Sequence, residues 1–354
     1  MTDASSRARR HTWTLLFLGV ALGAAWAAAL LAPAAAQAAI RVFPICIDMG
    51  GQAGPDIAGT MVVWTDNRNG DLDIYGRNLS SRRDFAVCRR KHQQDNPSLT
   101  ATVVGTRTEY IAVWVDKRNH EGGDIYGRNV TKKRDFVVAR SGALKWFPKI
   151  VDHWVVWIEA EDAAGPYAIK ARDLTAGETR KIATSTVLSS IGVSRRTKDG
   201  KTVYTAVYTS SNADISGRDL PAGAPFRVAQ SGKFEWSPDI SANRVVWWEA
   251  GGRVMLKNIK SGKLTYVAQG SRPRIDGELV TWDGGGKGGS FALNYKAGAA
   301  IYVRNIARSR ATIRITQKNL TCLFPAISGH TVVWESGPAK RVLSHIHIYG
   351  AKVR

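Results

Sequence analysis

Short apolar runs alternate with turn residues along almost the whole chain. The runs are rich in β-branched and aromatic residues, are four to seven residues long, and are separated by Gly, Asn, Asp and Ser. This pattern is typical of strands joined by turns. After residue 39 no segment repeats its apolar residues at the spacing of an amphipathic helix. The hydrophobic pattern therefore predicts an all-β protein.

A repeated motif divides these strands into groups. The motif has the form Pro-x-Ile-x-Gly, four residues, then Val-Val-Trp, and two of its seven copies carry an eight-residue insertion. Each copy continues with an acidic residue, a turn, a strand of the form Ile-x-x-Arg-Asn-Leu and one more apolar run. One copy thus predicts four antiparallel strands, named A to D in chain order, which form a propeller blade. The copies begin 35 to 52 residues apart, at Pro55, Pro97, Pro148, Ile191, Pro238, Pro273 and Pro325.

The two ends of the chain complement each other. The seventh copy reaches its strand C near Ile348 and leaves no room for a strand D. Residues 40–46 form an orphan strand, at the distance from the first motif where a strand D belongs. The sequence therefore predicts a single seven-bladed β-propeller over residues 39–354. We expect the N-terminal strand to complete the last blade, so that no sheet edge is exposed.

The first 38 residues have the pattern of a secretory signal. Three Arg precede an Ala- and Leu-rich stretch, residues 12–33, that contains no charge, and Ala36-Gln37-Ala38 follows as a small-x-small cleavage pattern. Cleavage after Ala38 predicts an exported protein, periplasmic or at the cell surface. The alternative is an uncleaved membrane anchor, because 22 apolar residues also suffice to span a bilayer.

Charge is the most unusual feature of the composition. The 354 residues include 50 Lys and Arg against 29 Asp and Glu, a net charge of +21. Loss of the signal removes three Arg and one Asp and leaves +19. Outside the cytoplasm this charge favours an anionic partner, or it serves solubility alone. The hydrophobic content of 44% excludes a disordered chain, and three cysteines are too few for a disulfide framework. We expect no essential disulfide.

Two segments resemble a known family. Residues 55–79, PDIAGTMVVWTDNRNGDLDIYGRNL, and residues 238–250, PDISANRVVWWEA, are similar to the repeats of the TolB-like propeller family of exported proteins. The resemblance covers residues 40–354 and implies an exported propeller. In that family the repeat serves binding proteins, surface-layer proteins and a few enzymes. TolB itself has six blades and an additional α/β domain before them, and this chain departs from both features.

The candidate binding residues lie in the connections that lead from strand D to the next strand A. Trp146 and Trp236 each stand two positions before the Pro of a motif, and Arg90, Lys91 and Arg272 occupy equivalent connections. Aromatic rings among cations suit sugar rings that carry carboxylates or phosphates. These five residues are therefore the predicted ligand site on one propeller face. The alternative is that the aromatic rings pack between blades.

Other repeated side chains have a structural explanation. The Trp of each motif is expected to fill the space between neighbouring blades, and the acidic residue after it to accept hydrogen bonds from turn amides rather than to bind calcium. Strand C carries a base at one equivalent position in six blades. These bases either grip a polyanion or pair with the strand B acids, and the second is favoured: Arg77, Arg128, Arg172, Arg218, Lys257 and Arg304.

Enzyme motifs are missing from the chain, except for one possible metal pattern. His345 and His347 have alternate spacing on a strand, and His330 is the candidate third ligand. Some pectate-degrading relatives of this propeller hold a metal with histidines, so a polysaccharide lyase stays an alternative. The preferred function is an exported binding or scaffold protein for an anionic polysaccharide, an envelope polymer or a protein. A purely structural envelope protein is a further alternative. No cofactor, metal or specific nucleic acid is expected.

Overall fold

A computed structural model shows the architecture of the chain. The part that it describes comprises residues 40–285, 298–308, 311–316, 320–338 and 345–353. These residues form seven sheets of four antiparallel strands, which confirms the predicted all-β, seven-bladed propeller. The predicted signal, residues 1–38, lies outside the described residues. Within the described ranges, no helix is long and apolar enough to cross a membrane.

The strands of the first four blades follow the chain in order. Strand β1 (Val42–Cys46) precedes them. Blade 1 contains β2 (Gln52–Ala58), β3 (Met61–Asn69), β4 (Asp71–Asn78) and β5 (Arg83–Cys88). Blade 2 contains β6 (Gln94–Val104), β7 (Arg107–Asp116), β8 (Asp124–Asn129) and β9 (Arg134–Ala139). Blade 3 contains β10 (Leu144–Val151), β11 (Trp154–Ala160), β12 (Tyr167–Asp173) and β13 (Thr179–Ser185). Blade 4 contains β14 (Ile191–Lys198), β15 (Lys201–Thr209), β16 (Ile215–Asp219) and β17 (Pro225–Ala229).

The last three blades continue this order. Blade 5 contains β18 (Glu235–Ser241), β19 (Arg244–Glu249), β20 (Arg253–Asn258) and β21 (Leu264–Gln269). Blade 6 contains β22 (Ser271–Asp276), β23 (Leu279–Gly284), β24 (Ala300–Asn305) and β25 (Ile313–Arg314). Blade 7 contains β26 (Thr321–Ser328), β27 (Thr331–Gly337) and β28 (His347–Lys352). The A strands of consecutive blades contact one another from β2 to β26 and back to β2, so they form the inner wall of a closed ring.

The fourth strand of blade 7 is β1, which pairs antiparallel with β28. Phe43 lies opposite Gly350, and a Cβ atom at Gly350 would come within 3.0 Å of the Phe43 ring. Glycine is therefore required at this position of strand C, because the aromatic ring from strand D occupies the space that a side chain would need. The same Gly–Phe pair recurs in three other blades: Gly76–Phe85, Gly127–Phe136 and Gly217–Phe226.

A bulge interrupts strand A in six of the blades and explains the proline of the motif. Proline has no amide hydrogen for the ladder, so within a sheet it suits a bulge. The residue before each of these prolines has a left-handed backbone, with φ between 47° and 57°. Blade 4 has Ile191 instead of proline and pairs with β15 without a register shift. The bulged pairs are Gly54-Pro55, Asn96-Pro97, Phe147-Pro148, Ser237-Pro238, Arg272-Pro273 and Phe324-Pro325.

Polar residues after the bulge join neighbouring blades. The Asp56 carboxylate accepts a hydrogen bond from the Leu99 amide of blade 2 at 2.9 Å. The Asp239 carboxylate likewise accepts one from the Ile275 amide of blade 6 at 3.0 Å. Each carboxylate thus satisfies a backbone donor that no strand within its own sheet reaches. The polar inner wall of the ring is therefore explained by contacts between blades.

The motif tryptophans are the largest fully buried side chains of the described residues. Trp64, Trp114, Trp157, Trp247, Trp282 and Trp334 are all at most 1% exposed. In blades 1, 2 and 3 the acid follows the Trp by two positions, so both side chains lie on one face of strand B. The indole Nε1–H therefore donates to that acid at 2.9 to 3.0 Å: Trp64 to Asp66, Trp114 to Asp116 and Trp157 to Glu159.

Two of these acids also order the turn that follows them. Asp66 accepts a hydrogen bond from the Arg68 amide at 2.9 Å, and Asp116 accepts one from the Arg118 amide at 3.0 Å. The predicted turn-amide role of the acids is confirmed at these two sites. In blades 6 and 7 the acid directly follows the Trp instead. Its side chain therefore lies on the opposite face of strand B.

The three cysteines are buried free thiols. The Cys46 sulfur lies 3.0 Å from an Arg68 guanidinium nitrogen and 3.9 Å from the Asp66 carboxylate. Burial raises the pKa of Cys46 to about 11, and burial raises the pKa of Cys88 to about 12. At neutral pH both thiols are protonated, and each lies beside an Arg–Asp pair: Cys46 beside Arg68 and Asp66, and Cys88 beside Arg118 and Asp116.

Candidate functional site

The blades have two different ends, and these define the two candidate faces of the propeller. Because strands alternate in direction, the A–B and C–D turns lie at one end, here called the AB/CD end. The B–C turns and the D-to-A connections lie at the other, here called the BC/DA end. All five residues of the predicted ligand site lie at the BC/DA end.

The two predicted tryptophans lie within strand A, near its start, and not in the connections before it. Both are half-buried. The Trp146 ring packs edge to face on Tyr167, with ring centroids 5.9 Å apart, and rests against the core of blades 3 and 4. The Trp236 ring stacks on Phe234 at a centroid distance of 5.8 Å. Each Trp therefore has a packing role, and its role in ligand binding stays a prediction.

The loop that carries Arg90 and Lys91 is ordered by one buried amide. The Gln94 side chain donates from Nε2 to the carbonyl oxygens of Arg90 at 3.2 Å and of His92 at 2.6 Å. Its Oε1 accepts a hydrogen bond from the Arg90 amide at 3.2 Å. The side chains of Arg90 and Lys91 are exposed. These two cations are thus presented to solvent on a fixed backbone.

Arg272 is not available to a ligand in the same way. Its Nε lies 2.7 Å from the Asp283 carboxylate, and its guanidinium lies 4.5 Å from the centre of the Phe324 ring of blade 7. Asp283 also accepts a hydrogen bond from the Phe324 amide at 3.3 Å. Arg272 therefore joins blades 6 and 7, a role that its place in the connection did not reveal. The structure brings it together with neither predicted tryptophan in any described contact.

The six bases on strand C are structural, but their partners differ from the expected ones. Arg77 and Arg128 pair with acids at the start of strand D, Asp84 and Asp135. Arg172 donates to the Thr179 hydroxyl, also at the start of strand D, at 2.9 Å. Arg218, Lys257 and Arg304 donate to backbone carbonyls of strand D of the preceding blade. The strand B acids cannot be their partners, because these acids lie near the BC/DA end and the bases lie near the AB/CD end.

Exposed charge is divided unequally between the two ends. Among the described residues, the BC/DA end has five exposed acids, Asp48, Asp71, Glu121, Glu161 and Asp162, and five exposed bases, Arg89, Arg90, Lys91, Arg140 and Lys233. The AB/CD end has four exposed acids, Asp84, Asp135, Glu178 and Asp199. Its exposed bases are far more numerous: Arg41, Arg82, Arg83, Arg107, Lys132, Lys133, Arg134, Arg180, Arg195, Lys198, Lys201, Lys260, Lys263, Arg308 and Lys352. Three further exposed bases, Lys181, Arg227 and Arg314, lie at equivalent positions along strand D and are counted at neither end.

Among the described residues, exposed positive charge is therefore concentrated at the AB/CD end, opposite the predicted ligand site. A signal for this was present in the sequence. The segment between strands C and D is basic in several copies, as in Arg82-Arg83, Lys132-Lys133-Arg134 and Lys260 with Lys263. Because every C–D turn falls at the same end of a propeller, these runs add to one potential.

Two long A–B hairpins stand on the AB/CD end, formed by β6 with β7 and by β14 with β15. They contain the two insertions seen in the repeat. Both hairpins meet over blade 3 at Asp152, which is 8% exposed. Thr102 of the first hairpin donates to Asp152 at 3.0 Å, and Tyr204 of the second donates to it at 3.1 Å. Arg195 adds an ion pair to Asp152 at 3.3 Å, so the carboxylate holds both hairpins.

The predicted metal ligands do not converge. His330 lies in the A–B turn of blade 7, while His345 and His347 lie at the BC/DA end. Strand β27, which has seven residues, separates the two ends by roughly 20 Å. His347 Nδ1 lies 3.0 Å from the Gln52 side-chain oxygen. Within the described ranges, no group of three or more His, Cys, Asp or Glu is arranged to hold a metal ion.

One buried acid, Glu335, is expected to make the stability of the protein depend on pH. Burial raises the pKa of Glu335 to about 7, although its Oε2 accepts a hydrogen bond from the Gly54 amide at 3.1 Å. Between pH 4.5 and 7 the folded protein holds a proton that the unfolded chain has lost, so stability falls as pH rises. Replacing Glu335→Gln should remove this decline and stabilise the protein at pH 8 by roughly 1–3 kcal/mol. Denaturant unfolding between pH 5 and pH 8 measures it.

The control for this variant is Glu161→Gln. Glu161 is exposed in the turn between β11 and β12, and its replacement removes the same charge. It should leave the pH profile of the free energy of unfolding unchanged. Parallel profiles for the parent and the Glu335→Gln variant would contradict the assignment to Glu335.

Comparisons with known proteins support the fold and not a particular activity. No protein-family model and no curated protein sequence matches the chain. An oligogalacturonate lyase from Vibrio parahaemolyticus is 11% identical, with a TM-score of 0.60 over 90% of this chain and 95% of that one. The propeller domain of the Trilobed protease from Pyrococcus furiosus is 9% identical, with a TM-score of 0.58 over 87% and 95%. TolB from Acinetobacter baumannii is 13% identical, with a TM-score of 0.47 over 72% and 62%. At such identities the likeness shows the β-propeller fold alone.

Proposed function

We propose that this protein is an exported propeller of the TolB-like type that binds an anionic polymer at its AB/CD end. It acts as a binding or scaffold protein at the periplasmic or outer cell surface. The polymer is an acidic polysaccharide or another polyanion of the envelope. The observation that carries this proposal is the excess of exposed Lys and Arg at the AB/CD end over its four exposed acids.

The physical basis is the summed field of these cations. Each exposed cation alone interacts weakly, since water and salt screen a surface charge over about 8 Å at physiological ionic strength. A polymer with a negative charge on every residue contacts many cations at once, so the weak attractions to individual cations add along its length. In the described part of the BC/DA end the exposed acids and bases are equal in number, so their charges largely cancel there.

Two matched double variants test which end binds. Lys133 lies in a C–D turn and Arg134 begins the next strand, β9, both at the AB/CD end. Arg90 and Lys91 lie in a connection at the BC/DA end. Changing either pair to Glu alters the net charge equally. We expect Lys133→Glu with Arg134→Glu to weaken polygalacturonate binding about tenfold at low salt. Arg90→Glu with Lys91→Glu should change it less than threefold.

Calorimetry with polygalacturonate, and with neutral dextran as the uncharged control, measures these affinities. Equal binding of polygalacturonate by the parent and by the Lys133 and Arg134 variant would contradict a site at the AB/CD end. A selective loss in the Arg90 and Lys91 variant would instead favour the site predicted from the sequence, with Trp146 and Trp236. Unsaturated sugar products in the same mixture would favour the lyase alternative.

A further inference from the structure

The tip of the β6–β7 hairpin has an unusual surface. Strand β6 continues for seven residues beyond Pro97, whereas β2 continues for three beyond Pro55. At 3.3 Å per residue the hairpin extends roughly 13 Å farther than the corresponding turn of blade 1. Val103 and Val104 near its tip are 74% and 52% exposed. Residues 103–108 are all exposed and contain no acid.

The base of this hairpin is held firmly below the exposed tip. Thr102 donates to Asp152 of blade 3, and the Tyr110 hydroxyl lies 3.2 Å from the Thr60 hydroxyl of blade 1. Glu109 accepts a hydrogen bond from the Asn129 amide group at 2.8 Å. The hairpin is thus fixed to three blades, and two apolar side chains are presented beyond these contacts.

Cations lie at the same end of the molecule as this apolar tip. Arg107 is on the tip itself, and the exposed run of residues 132–134 belongs to the same blade. Lys198 and Lys201 occupy the tip of the second long hairpin, at the same end of the molecule. Exposed apolar side chains at a protruding position, among cations, fit a surface that is anionic outside and apolar beneath. A soluble polyanion has no apolar layer for the two valines to enter.

We infer that the AB/CD end docks on an anionic lipid bilayer, with Val103 and Val104 entering the boundary between headgroups and acyl chains. The cations of the same end contact the lipid phosphates. Apolar burial and electrostatic attraction then act together, as they do for proteins that lie on membranes. This inference goes beyond polymer binding and shares the cations of the AB/CD end with the proposed function.

Vesicle binding tests the inference with a paired substitution. Val103→Thr with Val104→Thr keeps two β-branched residues in the strand and removes their apolar character. Val137→Thr is the matched control, because Val137 is a 43% exposed valine on the outer strand β9 of the same blade. Each protein is sedimented in two samples, one with mixed vesicles of phosphatidylcholine and phosphatidylglycerol and one with vesicles of phosphatidylcholine alone. A separate assay measures its binding to polygalacturonate. Thermal unfolding checks that each variant is folded.

We expect the parent and the Val137→Thr variant to bind the anionic vesicles equally, and neither to bind phosphatidylcholine alone. The paired valine variant should bind anionic vesicles at least tenfold more weakly and bind polygalacturonate as the parent does. Equal vesicle binding by the paired variant and the parent would overturn membrane docking. Polygalacturonate binding without vesicle binding by the parent would overturn the inference and leave the proposed function standing. Binding to neither probe would overturn both.

Discussion

Deleting β1 is expected to abolish cooperative unfolding of the propeller. Ile45 and Cys46 of this strand are 1% and 2% exposed, and they pack with the core that blades 1 and 7 share. Burying an apolar side chain of this size contributes about 1.5–3 kcal/mol. The backbone donors and acceptors of β28 would also lose their partners. The combined loss is comparable with the whole stability of a domain, about 5–15 kcal/mol.

The test compares a chain that begins at Ala39 with one that begins at Ile47. Denaturant unfolding is followed by tryptophan fluorescence and by circular dichroism. The longer chain should give one coincident transition. The shorter chain should give a broad, non-coincident transition and aggregate through the exposed edge of β28. If both chains unfold at the same denaturant concentration with the same slope, β1 does not close the ring.

The strand order could be predicted because each blade repeats the same local chemistry. The Pro, the Trp and the Gly–Phe pair each serve contacts within a blade or with the adjacent blade. The spacing from the Pro to the Trp is therefore the same in every copy where both occur, apart from the insertion that lengthens the A–B hairpin of blade 2. Even the N-terminal strand could be placed, since Cys46 precedes Pro55 by the same nine positions that separate Cys88 from Pro97. Repetition supplied the long-range information that one strand alone lacks.

The candidate site was harder to predict because it depends on which face of a strand a side chain occupies. Asp66 lies two positions after its Trp and bonds the indole within blade 1. Asp283 lies one position after its Trp, so it points to the other face and binds Arg272. This shift of one residue makes Arg272 an internal partner. The motif, read as a Trp with an acid nearby, did not separate the two cases.

The position of the charge on the surface was also hard to predict from the sequence. The net charge of +21 was evident, and it favoured an anionic partner. Its division between the ends requires the blade topology, because it depends on which turns share an end. Aromatic residues near cations drew attention to Trp146 and Trp236, at the BC/DA end. The cations that drew no such attention, such as Lys133 and Arg134, lie at the AB/CD end.

Replacing Trp157→Ala is expected to destabilise the protein by about 3–5 kcal/mol. Trp157 is 1% exposed and packs against Val113, Ile125 and Val138 of blade 2, so its ring fills the space between blades 2 and 3. Glu159 would lose the indole donor but keep Lys170 at 2.7 Å. The cost therefore comes mainly from the cavity. Equilibrium unfolding in urea measures it.

Trp146→Ala in the same blade is the informative comparison. Trp146 is half-buried, packs on Tyr167 and lies at the margin of the core of blades 3 and 4, so we expect its removal to leave a site open to solvent and not a closed cavity. A loss of about 1–2 kcal/mol is expected. If the loss equals that of Trp157→Ala, Trp146 is a core residue, and a ligand site at the BC/DA end loses its aromatic platform. If the loss is small and the polygalacturonate affinity is unchanged, the Trp146 ring does not contact that ligand. This result is the one expected if polygalacturonate binds at the AB/CD end.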